Sequence, residues 1–364
     1  MNQKFRSIRS IRSMGRVCLT TLIFSTFWGF SSSLLSSSSG VAIAQPFVDS
    51  MTVPPSFPAT APPPPRTNVP NLPQGTDYRV SALQTDSTGG LWIGSWRGLS
   101  RINPNTGEVL QEVSLPNYTI GSLVMDKVGR IWVGTYEGLL RVDPRSNEVT
   151  AQTINLPSPR ILSLLIDRRG YLWVGTDRGI ALISPDEGLV MTTWEALPGV
   201  SANAFTLDQE GQLWIGTLEG LVRVNTASAL PLRRIPQIIG GLVQTLATNP
   251  GDGSVWAGTP SGLVVINPRS GTVSRVINSV SDRNITSIRF ANDGSLWVGM
   301  EDGLLKLDPP SGAITGQIPN LPSSRIMALS PNTGNKLWIG TSLGLAWVLD
   351  GSATARSHLG FTPQ

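Results

Sequence analysis

Seven tryptophans recur along this chain in one local context. They lie in LWIG (91–94), IWVG (131–134), LWVG (172–175), LWIG (213–216), VWAG (255–258), LWVG (296–299) and LWIG (337–340). The steps between Trp92, Trp132, Trp173, Trp214, Trp256, Trp297 and Trp338 are 40, 41, 41, 42, 41 and 41 residues. A period in the forties restricts the chain to a propeller or a helical array.

The pattern inside one period separates these two. Each unit opens with a short apolar run such as RILSLLID (160–167), turns at an Asp-x-x-Gly such as DRRG (167–170), and continues into YLWVGT. A third run follows, GIALIS in this unit, and a fourth is clearest in GTVSRVIN (271–278). Runs of five to seven residues with β-branched and aromatic content, bounded by turn residues, are strands. No 3.6-residue period of any length appears after residue 76. The predicted fold is all-β: a seven-bladed β-propeller over residues 77–361, with four-stranded antiparallel blades and about 41 residues per repeat. The last repeat is complete at 353–361, so ring closure is expected from face-to-face packing; an outer strand supplied by the proline-rich segment before residue 76 is the alternative.

The repeated residues read as scaffold. Trp132 is a plate suited to packing between blades, with an indole N–H that needs a partner. Gly134 leaves room for a close neighbour, and Gly138 favours a tight turn with positive φ. Asp126, six residues before its tryptophan, is placed to accept amides of its own turn, which Gly129 completes. Asp86, Asp167 and Asp208 share that spacing, while Asp252, Asp293 and Asn332 are expected to do related turn work in the last three blades.

The string D-x-x-G-x-L-W-[IV]-G-T-x-x-G-L-x-R-[VI]-[DN]-P resembles the two-component regulator propeller repeat. Residues 126–144 match it almost throughout, as do DQEGQLWIGTLEGLVRVN (208–225) and DGLLKLDPPSG (302–312). The resemblance covers roughly residues 78–350. It implies a sensor-type propeller of the kind found outside the cytoplasm in hybrid histidine kinases. The phosphoacceptor and ATP-binding regions of that family do not follow the seventh repeat, so a binding module separate from a kinase is expected.

The N-terminus reads as an export signal. Lys4, Arg6, Arg9, Arg12 and Arg16 precede the apolar VCLTTLIFSTFWGF, and Ala42 and Ala44 form a small-residue cleavage pair. Residues 1–44 are the expected signal peptide, cut before Gln45; an uncleaved anchor over Val17 to Leu35 is the alternative. Residues 45–76 form a Pro-rich linker, with ten prolines among 45–75, which favours an extended tether. The whole chain carries 28 bases and 24 acids. Removing the five signal bases leaves 23 − 24 = −1, so the basic balance gives no argument for nucleic acid. The mature form is expected periplasmic or secreted, with no membrane span. Cys18, the one cysteine, falls in the signal, which leaves no thiol for a disulfide or metal site.

No cofactor or metal is expected, and no catalytic residue. His358 is the only histidine, which argues against zinc and against a histidine-based mechanism. Streptogramin-lyase-like propellers also use W-x-G repeats, with histidine and a divalent cation, and a second histidine is lacking here. The expectation is therefore that the chain is not an enzyme, with carboxylate-dependent catalysis as a lesser reading. A binding site is expected where the repeats differ, on the face around the channel mouth. The variable turn residues Trp96, Arg97, Tyr136 and Glu137 are candidates to stack a sugar ring or clamp a peptide; two ordinary surface aromatics are the alternative. Arg79, Arg160 and Arg325, each thirteen residues before its tryptophan, are candidates for a positive field at the mouth, unless paired with Asp177, Glu301 and Asp302. The expected function is extracytoplasmic recognition of a glycan, a peptide or another ligand; the alternative is an assembly scaffold for an envelope protein.

Overall fold

The computed structural model describes residues 77–363, Ile154 aside. The expected signal peptide, its anchor alternative and the proline-rich linker lie outside the described residues. Seven four-stranded antiparallel sheets follow one another, each with its strands side by side in chain order. Blade two is representative, with strands Ile120–Met125, Ile131–Thr135, Leu139–Asp143 and Glu148–Thr153. The chain is thus a seven-bladed β-propeller with four-stranded blades. Among the described residues the sole helix is a short 3₁₀ turn, Asn278–Val280. None is long and apolar enough to cross a membrane.

The core is divided into seven clusters, one at each interface between neighbouring blades. The tryptophan of one blade lies against the inner and second strands of the next. Trp132, for instance, shares a cluster with Ile161, Leu172, Val174 and Ala181. Trp92, Trp132, Trp173, Trp214, Trp256 and Trp338 are fully buried. An indole that buries about 200 Å² contributes about 5 kcal/mol at ~25 cal/mol per Å², so these plates dominate the interfaces. Space for the next blade comes from the glycine two residues on. A Cβ on Gly134 would sit 2.7 Å from Ile161 Cγ2, and one on Gly94 would sit 2.6 Å from Ile120 Cγ2. The close neighbour is therefore an isoleucine of the following inner strand.

Below each plate, the first four blades carry one carboxylate in the same role. Asp208 Oδ1 accepts the amides of Glu210 (3.0 Å) and Gln212 (2.9 Å), while Oδ2 accepts the Trp214 indole N–H and Arg223 Nε, each at 2.9 Å. Asp86, Asp126 and Asp167 likewise accept the indole N–H of Trp92, Trp132 and Trp173 at 3.2, 3.3 and 3.1 Å. The arginine comes from different places: Arg101, Arg130 and Arg169. Gly129 completes the blade-two turn at φ 90°, a conformation that favours glycine. In blades five and six Asp252 and Asp293 accept the amides of Ser254 and Ser295 within their turns, whereas Asn332 accepts the Asn292 amide of the preceding blade.

Among the described residues no strand is shared across the closing joint. The inner strand of blade one, Val80–Thr85, packs on blade seven, and Val80, Leu91, Ile93, Trp338 and Phe361 form the closing cluster. The outermost strand of blade seven is the two-residue Arg356–Ser357. Lys336 Nζ donates to the carbonyls of Pro104 (2.7 Å) and Asn105, bridging blade seven to blade one. His358 serves the same joint. The Gly360 amide donates to its Nδ1, which leaves Nε2 to donate to Gly107 O at 2.7 Å.

Candidate functional site

The turns between second and third strands are held from beneath. Thr135, fully buried, donates from Oγ1 to Gly138 O at 2.7 Å, and Thr176, Thr217, Thr259 and Thr341 repeat the bond. In blade two the turn also joins its own inner strand, because the Tyr136 amide donates to Thr119 O at 3.0 Å. In blade one Ser95 Oγ accepts the Arg97 amide at 3.2 Å, so the tip residues of blades one and two, which the repeat leaves free, are presented on a fixed backbone.

Around blades one and two these tips enclose a cavity of roughly 300 Å³, lined by Asp77, Arg79, Ser81, Ser95, Trp96, Tyr118, Thr119, Ile120, Tyr136 and Met327. Its aromatic walls come from adjacent blades, and both Trp96 (46% exposed) and Tyr136 (40%) present open ring area. Tyr78 meets Trp96 edge-on, with centroids 5.7 Å apart, and fixes the indole plane. The volume is at the lower end of small-molecule sites, and apolar walls with a few polar groups are their usual make-up.

Of the seven residues picked out by sequence, Arg79, Trp96 and Tyr136 line this cavity and four do not. Arg97 turns outward, pairing with Glu112 at 2.9 Å and donating to Gly360 O at 3.3 Å. Glu137 caps the neighbouring backbone, accepting the Thr119 amide at 2.7 Å. Arg160 lies over the Tyr136 ring at 4.6 Å, which buttresses that ring by a cation–π contact. Arg325 stands apart, 3.8 Å from Glu301. Asp302 pairs with Arg283 instead.

Arg79 does not act as a free positive charge. Its Nε donates to both oxygens of Asp77, at 2.7 and 2.8 Å, and its Nη2 joins them in a forked pair. The hydrogen bond from Arg79 pulls the Asp77 carboxyl below its usual range, and Asp77 in turn raises the guanidinium. The mouth at this point is a neutral ion pair. Sequence reading missed Asp77, two residues from Arg79, and Tyr118, next to the recognised Thr119. Their contribution depends on how the entry to the inner strand folds back over the turn.

The model of the two component regulator propeller matches residues 114–137 and 155–178, which hold the Asp126–Trp132 and Asp167–Trp173 units. No curated protein matches the chain. Among solved structures it is similar to the extracellular domains of two putative hybrid two component systems from B. thetaiotaomicron. One is 21% identical, with a TM-score of 0.63 over 76% of this chain and 40% of that one. The other is 20% identical, with a TM-score of 0.65 over 74% and 38%. The chain thus spans about two fifths of their length.

It is also similar to virginiamycin B lyase from Staphylococcus aureus, 17% identical, with a TM-score of 0.62 over 74% of this chain and 93% of that one. This overturns the expectation that the chain is not an enzyme. Almost the whole of a lyase shares this fold, so the architecture itself is no argument against catalysis. That expectation rested on the lack of a second histidine and on structural aspartates, but activity belongs to residues grafted on a fold rather than to its repeats.

Proposed function

We propose that this chain, built of two-component regulator propeller repeats, is an extracytoplasmic recognition module whose ligand sits between Trp96 and Tyr136. The observation that carries this reading is the convergence of Trp96, Tyr118 and Tyr136 with the Asp77–Arg79 pair on one cavity. Flat rings stack against the apolar face of a sugar, and the neutral ion pair, Ser95 and Thr119 supply hydrogen-bonding groups for its hydroxyls. A neutral or weakly polar glycan therefore fits better than an anion, and a short peptide is the next candidate. The extracellular domains among the similar structures agree with this location. Residues 1–44 acting as an export signal and 45–76 as a tether belong to the same reading; an intact mass that does not begin at Gln45 contradicts the cleavage.

Titration calorimetry against a panel of oligosaccharides and peptides tests the site. Trp96→Ala and Arg79→Ala are expected to abolish binding of any hit, and unchanged affinity in both removes the cavity from consideration. A second reading, an assembly scaffold for an envelope protein, draws on the outer strands of blades three and four. Leu189, Met191, Leu230 and Leu232 are exposed there. Trp96→Ala separates the two, since a partner held on the outer strands stays bound in that variant.

A further inference from the structure

The seven inner strands enclose a central channel of roughly 260 Å³. Its polar lining is mostly committed to tying blades together. Ser81 Oγ donates to Ile120 O at 2.5 Å, Ser163 Oγ to Ala202 O at 2.9 Å and Thr286 Oγ1 to Ile326 O at 2.7 Å. Gln244 Nε2 bonds Asn284 at 2.5 Å. Each of these bonds runs from one blade to the next, so these donors are already in use.

Among the described residues the Ser122 hydroxyl has no partner, and Arg289 is the charged exception. It is the one charged residue lining the channel, and no Asp or Glu lines it. Among the described residues its guanidinium has no salt-bridge partner, and its single hydrogen bond goes from Nη1 to the adjacent Ile288 O at 2.9 Å. A guanidinium has five N–H donors, so most of them have no protein acceptor among those residues. The other inner strands carry Gln84, Val124, Leu165, Thr206, Ala247 and Ser330 at the position paired with the blade tryptophan, where blade six has Arg289. Enclosure among seven strands lowers the guanidinium below its usual value, with no carboxylate acting against it. Its side chain is nevertheless exposed.

The guanidinium is unpaired among the described residues and accessible, and a planar fork of donors matches the paired oxygens of a carboxylate or phosphate. We propose that the channel is a binding site for a small oxyanion, held by Arg289. The channel adjoins the mouth cavity, with which it shares Ser81 and Met327, but there Arg79 is already neutralised by Asp77.

The test is calorimetric titration of the full-length protein with inorganic phosphate, sulfate and acetate, exchanged against chloride at constant ionic strength. At least one oxyanion is expected to bind the wild type. Arg289→Met should weaken it at least tenfold and Arg289→Lys less, while Trp96→Ala leaves it unchanged. Without added oxyanion, Arg289→Met should melt no lower than the wild type, because it removes a charge that lacks a counter-ion. Equal binding by the wild type and Arg289→Met, or no binding of any of the three to the wild type, overturns the proposal. So does a lower melting temperature for both Arg289→Met and Arg289→Gln, which marks Arg289 as structural. Protection of the Ile285–Phe290 amides from exchange on oxyanion addition reads the site without any substitution, and its absence also counts against it.

Discussion

Blades one to four and blades five to seven use the same plate with different support. In the first four, a carboxylate, buried in blades two to four and half-buried in blade one, gathers the indole N–H, two or three turn amides and an arginine. In blade five the Trp256 indole donates to Ser254 Oγ at 3.0 Å, and in blade seven the Trp338 indole donates to Thr333 O at 3.2 Å. Trp297 of blade six is only partly buried and has Lys306 Nζ over its ring at 5.4 Å. All seven interfaces nevertheless keep a hydrophobic cluster of similar make-up. Apolar burial sets the blade spacing, and the polar partner of the plate is replaceable provided the buried N–H has one.

The comparison breaks most sharply at the plates themselves. Trp132→Ala should cost about 4 kcal/mol, as a large buried aromatic lost to a cavity, whereas Trp297→Ala should cost about 2 kcal/mol. Denaturant midpoints decide this, and equal losses mean that burial does not rank the interfaces. The turn carboxylates should differ on a smaller scale. Asp208→Ala strands the buried Trp214 N–H and leaves Arg223 only the exposed Glu210, and should cost about 3 kcal/mol; Asp293→Ala removes an exposed pair with Lys306 and should cost about 0.5 kcal/mol.

The weakest of these effects carries a pH signature. Hydrogen bonds from Ser295 and Lys306 lower the Asp293 carboxyl to about 2. Because the folded value is depressed below the usual 3.8, its contribution is complete above the unfolded value and fades as pH falls through the folded one. The gap between wild type and Asp293→Ala should therefore hold at neutral pH and close between about pH 4 and pH 2. A constant gap across that range rules out the pair as its source.

The fold was legible because one number, the tryptophan period, recurs seven times. The support beneath the plates was only half legible. The six-residue step from aspartate to tryptophan is visible in the sequence, but the bond between them requires the hairpin register. The arginine that joins them lies nine residues after Trp92 and Trp214, two before Trp132 and four before Trp173, so no single spacing reveals it. At the mouth, the turn position of Trp96 and Tyr136 was readable from the repeat. The outward turn of Arg97 and the capping role of Glu137 were not, because both depend on side-chain direction at a tip. Arg289 passed unnoticed for a related reason: its isolation becomes visible only when six other strands surround it.

The closing joint has a mechanical consequence. Each blade is one unbroken stretch of chain, and the seventh meets the first through side chains such as Lys336, His358 and Phe361. The joint can therefore part like a clasp while every sheet keeps all four of its strands.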